Sequence, residues 1–363
     1  MRAIAYILSV KKMINKKMFR IRKLTTLLIT VMGLYVCLRF PAQCADGIRK
    51  GMLFCVEALV PSLFMFMALS SYLIKSGLAQ SLTKRFGKIS QIFFGVPQVG
   101  LSVILLSMIG GYPVGARCAA ILYEQKIIDQ KTAQKLVMSA VCAGPGFLIN
   151  FVGNTLLGNG KAGRLLLYAE LIGVIATSII IGKSIFVEPV KLRRPSTKAA
   201  SNLLVSSVTD ASRATFHMCS MVVLCAAMIE VVAAVSPNET LTDFISAILE
   251  ITTGCRRMCG RFPLYQIAFF IGFGGISVHL QIYAGIGDLA LRKDLFFLCR
   301  ILQGIITGAV TYIFLMIFPV EQSVFSSVDV PLTLSRSATL FGSGALILSS
   351  LCFLGSIHHK IRR

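Results

Sequence analysis

Charged residues are scarce in this sequence: Asp, Glu, Lys and Arg make up 14% of its 363 residues, against roughly 25% in an ordinary soluble domain. So little charge cannot cover the surface of a water-soluble globule, and that class of protein is excluded. Apolar residues take the place of the missing charge, since 55% of the chain is hydrophobic and the mean hydropathy is +0.78. The composition therefore predicts an integral membrane protein whose main partner is the lipid bilayer.

Acidic residues are the scarcest of the charged kind, with 15 Asp and Glu against 37 Lys and Arg and a net charge of +22. A basic excess of this size can indicate nucleic-acid binding when it lies on one soluble domain. Here the basic residues lie mainly in short segments between apolar runs. Cytoplasmic loops of membrane proteins are enriched in Lys and Arg, so membrane topology explains the charge. We predict no nucleic-acid partner.

Motifs for common catalytic and cofactor chemistry are also missing. The sequence has no His-Glu-x-x-His, no Gly-x-x-x-x-Gly-Lys-Ser/Thr, no Gly-x-Ser-x-Gly and no Cys-x-x-Cys, which are patterns of zinc, phosphate-binding, nucleophilic-serine and thiol chemistry. Cys255 and Cys259 share a predicted loop and are a weak metal or disulfide candidate, because no histidine lies nearby. We therefore predict that the chain is not an enzyme and has no catalytic residues, no cofactor and no metal site.

Nine apolar runs account for most of the chain. Each is close to the 17 to 25 residues that cross a ~30 Å hydrocarbon core as a helix, and the alternating segments of about ten residues that form a transmembrane barrel are absent. The sequence predicts an all-α polytopic membrane protein. The runs cover residues 24–40, 52–74, 89–109, 136–157, 165–187, 215–235, 264–286, 301–318 and 338–357.

Basic segments at both ends and in the middle set the predicted topology. Residues 1–23 carry no acid and precede an apolar run, which favours a retained signal anchor, with a signal peptide cleaved near residues 42–44 as the alternative. The tail 358–363 is also basic, so both ends are expected in the cytoplasm. Nine crossings cannot place both ends there, so we predict about eight spanning helices plus re-entrant or broken ones. The run 89–109 is the best re-entrant candidate, because it holds Gly and Pro and has basic residues on both sides.

The predicted domain organisation is a single membrane domain, residues 24–357. Within it the basic loop 188–213 would join two pseudo-repeat halves, about 50–187 and 214–357. An inverted repeat of this kind is typical of transporters, where broken helices from the two halves meet near the middle of the membrane and form a binding site.

Three glycine clusters interrupt the apolar runs, at residues 110–117, 143–146 and 273–281. Glycine and proline leave backbone groups unpaired, and a bilayer tolerates this only where protein or a water-filled cavity satisfies them. Helix kinks or close packing of small residues are the alternative explanation. The first and third clusters both place Gly-Gly after an apolar stretch, as broken helices of a repeat would. The candidate substrate-binding residues are Gly111, Tyr112, Pro113, Gly115, Arg117, Gly144, Pro145, Asn150, Gly274, Gly275, Ser277, His279 and Gln281.

Ionisable residues at membrane depth are costly and usually face a cavity or a partner. His279 with Ser277 is the best polar pair by this criterion, although a structural hydrogen bond between helices would also explain the histidine. Glu170 and Arg300 lie near the ends of apolar runs. We interpret both as structural residues whose side chains reach the membrane interface.

The motifs Gly-Gly-Tyr-Pro-Val-Gly-Ala-Arg at 110–117, Gly-Pro at 144–145 and Gly-Gly-Ile-Ser-Val-His-Leu-Gln at 274–281 resemble the sporulation integral membrane protein YlbJ family. That family belongs to the nucleoside-recognition, or Gate, domain group, and the resemblance covers roughly residues 50–355. It implies a multi-pass cell-membrane protein linked to the spore envelope and cortex, with a core similar to nucleoside transporters. One departure is that residues 139–143 lack the asparagine that often precedes the family's Gly-Pro cluster.

Two functions stay open at this point. The first is a Gate-type permease or solute-recognition protein that acts on a small polar solute through its broken helices. The second is a membrane scaffold that helps to assemble the spore envelope and transports nothing. The scaffold predicts that substitutions of His279 or Ser277 are tolerated, whereas the permease predicts that they are not.

Overall fold

The computed structural model describes residues 23–184 and 200–320, and within these ranges the chain is helical and has no strand. The all-α prediction is confirmed. The α-helices are α1 Lys23–Arg39, α2 Pro41–Phe54, α3 Val60–Lys75, α4 Leu78–Thr83, α5 Gly87–Phe94, α6 Gln98–Gly110, α7 Tyr112–Glu124, α8 Gln130–Ser139, α9 Gly160–Ser184, α10 Ala200–Val235, α11 Glu239–Leu249, α12 Ile251–Met258, α13 Leu264–Phe273, α14 Gly275–Gly285 and α15 Lys293–Ile317. Two π-helical segments, Cys55–Leu59 and Gly146–Leu156, and a 3₁₀ turn, Lys84–Phe86, join them.

Four stretches of the described residues are long and apolar enough to cross a membrane, and the count rises to six if each of two bent helix pairs is one span. The bends measure 97° between α1 and Pro41–Leu59, and 83° between Leu78–Phe94 and α6. The chain is therefore a polytopic helical membrane protein, but these residues support four to six spans rather than eight. The predicted run 338–357, the basic tail and residues 1–22 lie outside the described residues.

The predicted run 136–157 is not one helix. α8 ends at Ser139, residues 140–144 are not helical, and a π-helix starts at Gly146. Pro145 explains the break, since proline has no amide hydrogen and disfavours helical geometry in the residue before it. The run 89–109 is also divided, by Gly95 and Pro97 between α5 and α6, in keeping with the prediction of a broken or re-entrant helix.

α10 is longer than the apolar run 215–235 that predicted it, because it begins at Ala200. Residues 200–213 of the predicted connecting loop are thus helical. The sequence from 200 to 235 contains neither Gly nor Pro. No helix-breaking residue therefore prevents α10 from starting at Ala200, ahead of the apolar run.

Glycine residues allow α9, α13 and α15 to pack closely against one another. A Cβ added at Gly173 of α9 would lie 2.3 Å from Oγ1 of Thr307 in α15, and one at Gly272 of α13 would lie 2.8 Å from the Cα of Gly304 in α15. Small residues let helix backbones approach closely within a membrane. α9, α13 and α15 therefore form one tight group, and polar side chains on their shared faces are forced into contact.

Candidate functional site

The first and second glycine clusters touch each other. Gly111 separates α6 from α7 with a φ of 88°, a conformation that favours glycine. A Cβ added at Gly144 would lie 3.3 Å from the Cα of Gly111. The break between α6 and α7 is thus packed directly on the break between α8 and the π-helix.

The third cluster joins the other two through Tyr112. Its hydroxyl donates a 2.7 Å hydrogen bond to the carbonyl of Ile271 at the end of α13. A Cβ added at Gly274 would lie 3.5 Å from the Tyr112 ring, and Gly274 and Gly275 both have positive φ where α13 gives way to α14. The structure therefore brings the three clusters to one place, which we call the junction.

Arg300 of α15 connects two of the breaks from inside the protein. Its Nη1 donates to the carbonyl of Val141 at 3.0 Å, and its Nη2 donates to the carbonyl of Gly272 at 2.9 Å. The side chain is fully buried. These two carbonyls belong to the non-helical segment 140–144 and to the last turn of α13, where backbone groups lack helical partners.

Glu170 of α9 satisfies the same non-helical segment with the opposite charge. Its Oε1 accepts hydrogen bonds from the amide of Ala143 at 3.2 Å and from Nε2 of Gln303 at 2.9 Å, and its Oε2 accepts one from the Thr307 hydroxyl at 2.8 Å. Gln303 also donates to the Val141 carbonyl at 3.0 Å. Glu170, Gln303 and Thr307 have no exposed surface, so the acid and the arginine share one dry polar network.

This network has a clear physical reason. An unsatisfied backbone group in a hydrocarbon environment costs several kcal/mol, and a buried charge is tolerated only when it is paired and hydrogen-bonded. Here the broken backbone supplies partners for the charges, and the charges supply partners for the broken backbone. Neither could persist at this depth without the other.

Glu170 and Arg300 are the residues that sequence reasoning misplaced. The sequence-based interpretation of both as side chains that reach the interface is wrong, because both are buried against the helix breaks. Two signals were available. Glu170 is a single acid inside an apolar run, and Arg300, Gln303 and Thr307 follow one another at helical spacing on one face of α15.

Several predicted site residues shape the junction by packing. Pro113 lies in the first turn of α7, where its missing amide hydrogen is not needed, and Pro145 opens the helical segment after the second break. A Cβ added at Gly115 would lie 2.2 Å from the carbonyl oxygen of Ala140. Any larger residue at 115 would push α7 away from the second break.

Ser277, His279 and Gln281 are buried on α14, next to the third break. The Gln281 amide donates to the Ser277 hydroxyl at 3.0 Å, and Nδ1 of His279 donates to the carbonyl of Gly275 at 2.6 Å. His279 and Ser277, the best polar pair from the sequence, both lie close to the third break. They do not bond to each other, because residues two apart on a helix point in different directions. The His279 ring packs instead between phenylalanine rings, among them Phe273.

Two predicted residues lie away from the junction. Asn150 is exposed on the π-helix and accepts a long hydrogen bond from Asn154. Arg117 is six residues beyond Gly111 on α7 and pairs with acidic side chains described below. Solute binding by the thirteen residues named from the sequence stays a prediction.

Lys135 fixes a further break, the one between α5 and α6. Its ammonium donates to the carbonyls of Gly95 at 2.8 Å and Gly182 at 2.9 Å, and so joins this break to the last turn of α9. Burial lowers the pKa of Lys135. Carbonyls at helix ends favour a cation, and this contact holds the bent pair against the long helix that carries Glu170.

Cysteine and histidine do not assemble into a metal centre in the part of the chain that the structure describes. Cys255 and Cys259 are both free thiols. Cys255 lies in α12 rather than in the loop expected from the sequence, whereas Cys259 lies in the turn that follows α12.

The chain is similar in sequence to a known membrane protein. It is 24% identical over 330 residues to "Sporulation integral membrane protein YlbJ" of Bacillus subtilis (strain 168), a match that covers 78% of this chain and 81% of that protein. The similarity supports the assignment of the chain to the YlbJ family. No family model matches the sequence, and no solved structure is similar to it. The match covers most of both chains, as the resemblance of the glycine motifs predicted.

Proposed function

We propose that this chain is a sporulation-associated, multi-pass protein of the cell membrane with a Gate-type core that transports or recognises a small polar solute during spore envelope and cortex formation. The observation that carries the proposal is the junction, where three helix breaks meet around a buried acid and a buried arginine. In transporters, such breaks present backbone amides and carbonyls to polar solutes. The proposal includes no catalytic step.

Unused hydrogen-bonding capacity at the junction supports a polar solute. Nε of Arg300 and Oε1 of Gln303 are buried and have no hydrogen-bond partner among the described residues. Buried polar groups are usually satisfied, so each exception asks for an explanation. A solute that carries both an acceptor and a donor would satisfy this pair.

The order of elements supports the proposed repeat of two inverted halves with about eight spans. The helical hairpin α6–α7, the broken helix formed by α8 and the π-helix, and the long helix α9 follow one another. The hairpin α11–α12, the broken helix α13–α14 and the long helix α15 repeat that order. In each half the hairpin turn lies on the break, with Gly111 beside Gly144 and the amide of Ile251 3.2 Å from a Cβ added at Gly275.

This order changes which glycines correspond. From the sequence we matched the first cluster with the third, but element order pairs Gly144 with Gly274 as the breaks of equivalent helices. The counterpart of Gly111 is then the turn at Glu250. That turn has no glycine. The side chain of Glu250 instead caps α12 by accepting hydrogen bonds from the amides of Thr252 and Thr253.

A scaffold that transports nothing is the second candidate. It is favoured by the dense packing of the junction, since Val141, Cys142 and Ala143 have no exposed surface. In a scaffold the buried network would serve only to keep the broken helices folded.

Replacing Glu170 by Gln tests the proposal, because the variant keeps the shape of the side chain and removes its charge. A deletion strain would be complemented with wild type, Glu170→Gln or the matched control Glu230→Gln, whose parent residue is part-exposed and pairs with Lys50. We expect Glu170→Gln to accumulate in the membrane but to restore less than about a tenth of the heat-resistant spores. Full complementation by Glu170→Gln would favour the scaffold.

A further inference from the structure

A second cluster of charged side chains joins three helices away from the junction. Asp210 of α10 pairs through Oδ2 with the ammonium of Lys75 at the end of α3, and its Oδ1 lies 3.4 Å from Nη2 of Arg117 in α7. Nη1 of Arg117 lies 2.8 Å from Oε1 of Glu124. The side chains of Lys75, Arg117 and Asp210 keep only 13 to 17% of their surface exposed.

Hydrogen bonds to backbone carbonyls connect this cluster with α10 and α14. Lys75 donates to the carbonyl of Ser206 in α10 at 3.1 Å, and Arg117 donates to the carbonyl of Gly285, the last residue of α14, at 3.3 Å. The cluster therefore ties α3 and α7, which lie before residue 185, to α10 and α14, which lie after residue 199.

A small cavity lies against the ion pair of Arg117 and Asp210. Arg117 and Asp210 form part of its wall together with Ser70, Ser71 and Cys118, and it has space for about one water molecule. The Ser71 hydroxyl is buried and has no hydrogen-bond partner in the residues that the structure describes. Met67, Val114 and Ile121 make the rest of the wall largely apolar. Water is therefore expected to enter only when the ion pairs separate and their charged groups, together with the Ser71 hydroxyl, become available as partners.

Two helices connect this cluster with the junction. α7 begins next to Gly111 at the first break and ends at Glu124, whereas α14 begins at Gly275 in the third break and ends at Gly285. Helices of 11 to 13 residues act as stiff rods of about 16 to 20 Å. A displacement at their far ends is therefore transmitted to the breaks.

We propose that Lys75, Asp210 and Arg117 form the latch of a gate. In the state seen here the latch holds α3 and α7 against α10 and α14 and keeps the cavity closed. When its ion pairs separate, the cavity opens to water and the ends of α7 and α14 are free to move. The use of this motion for a solute rests on the proposed function, whereas the opening itself does not.

Asp210 is the centre of the latch, because it is the shared partner of both cations. Its loss would leave Lys75 without an acidic partner and Arg117 with Glu124 alone, although both cations approach the same position. Like charges within a few ångström repel, so Asp210→Asn should favour the open arrangement rather than merely weaken the closed one.

Cys118 provides a native reporter of the cavity. It lies in the cavity wall and is 1% exposed, and burial raises the pKa of its thiol to about 12. N-ethylmaleimide reacts with thiolates that water can reach, so the closed cavity protects Cys118. Labelling in native membranes would be measured at the Cys118 peptide by mass spectrometry.

We expect Asp210→Asn to label Cys118 at least about ten times faster than wild type, and Lys75→Met several times faster. Glu230→Gln is the matched control, because it breaks another ion pair of α10, with Lys50, and should leave Cys118 protected. Cys142 at the second break is fully buried and should stay unlabelled in every variant. If Asp210→Asn does not accumulate in the membrane, the labelling rate of Cys118 in Lys75→Met, compared with wild type, tests the latch instead.

The latch is refuted if Cys118 stays as protected in these variants as in wild type. It is also refuted if Glu230→Gln labels equally fast, or if Cys142 becomes labelled in step, since either result shows general loosening. Spore complementation separates the two proposals. If Asp210→Asn labels fast while Glu170→Gln complements fully, the latch is supported and the proposal of a solute is rejected.

Discussion

The junction and the latch are two polar clusters in one helical core, and they differ in burial and in the partners of their charges. At the junction, Glu170 and Arg300 are fully buried and bonded to the backbone of helix breaks. In the latch, Lys75 and Asp210 keep part of their surface in water and bond to each other. Removing one partner of a fully buried charge network leaves the other charge unpaired and dry, which is expensive. The latch charges keep 13 to 17% of their surface exposed, so water can reach them when they separate. The junction is therefore suited to hold a geometry, and the latch to change one.

The largest expected effect is that of Arg300→Met. The variant leaves the carbonyls of Val141 and Gly272 without their donors and Glu170 without a compensating charge, and we expect it to lower the free energy of unfolding by about 3–5 kcal/mol. Thermal unfolding in detergent would measure the loss. Arg164→Met is the control, because Arg164 is exposed on α9 and surface changes usually stay within about 0.5 kcal/mol. Equal midpoints for the two variants would contradict the role of Arg300 in holding the breaks.

Gly111→Leu should have the next largest effect. Its φ of 88° is strained for any residue with a Cβ, at a cost of about 1–3 kcal/mol, and a leucine would also face Gly144. Gly146→Leu is the matched control, since Gly146 is exposed and a Cβ there meets nothing within 4 Å. We expect the unfolding midpoint to fall for position 111 and to change little for 146. The opposite order would show that the first break is not constrained by the second.

Gly111 and Arg300 show how much of the site could be predicted from the sequence. Gly111 was identified from its motif, because a glycine pair inside an apolar run signals a broken helix by itself. Arg300 was assigned to the membrane interface, because its partners, Val141 and Gly272, are 159 and 28 residues away. The all-helical membrane class followed from composition, but the number of spans did not, because proline and glycine divide runs such as 136–157 that have spanning length. The hairpin α11–α12 was missed because its turn is made by Glu250, not by glycine.

Ser277→Ala should have a smaller effect on stability, because it removes neutral hydrogen bonds of the Ser277 hydroxyl, with Gln281 and with the Cys225 thiol, each worth about 0.5–1.5 kcal/mol. Its effect on function separates the two candidates. A permease with a polar wall on α14 predicts stable protein and a reduced yield of heat-resistant spores, whereas a scaffold predicts a normal yield. Thr311→Ala is a suitable control, since its hydroxyl bonds only to the backbone of its own helix.

The smallest expected change in the free energy of unfolding is that of Asp210→Asn, because opening the latch leaves the helices and the junction packed. The dependence of this change on salt distinguishes the latch from the junction. At about 1 M salt the screening length falls to about 3 Å, so the difference between wild type and Asp210→Asn should shrink. The difference for Arg300→Met should persist, because salt does not reach a fully buried network. Unfolding midpoints at low and high salt would measure both. If the two differences respond to salt alike, the latch is as dry as the junction, and water entry between its ion pairs cannot be what opens the cavity.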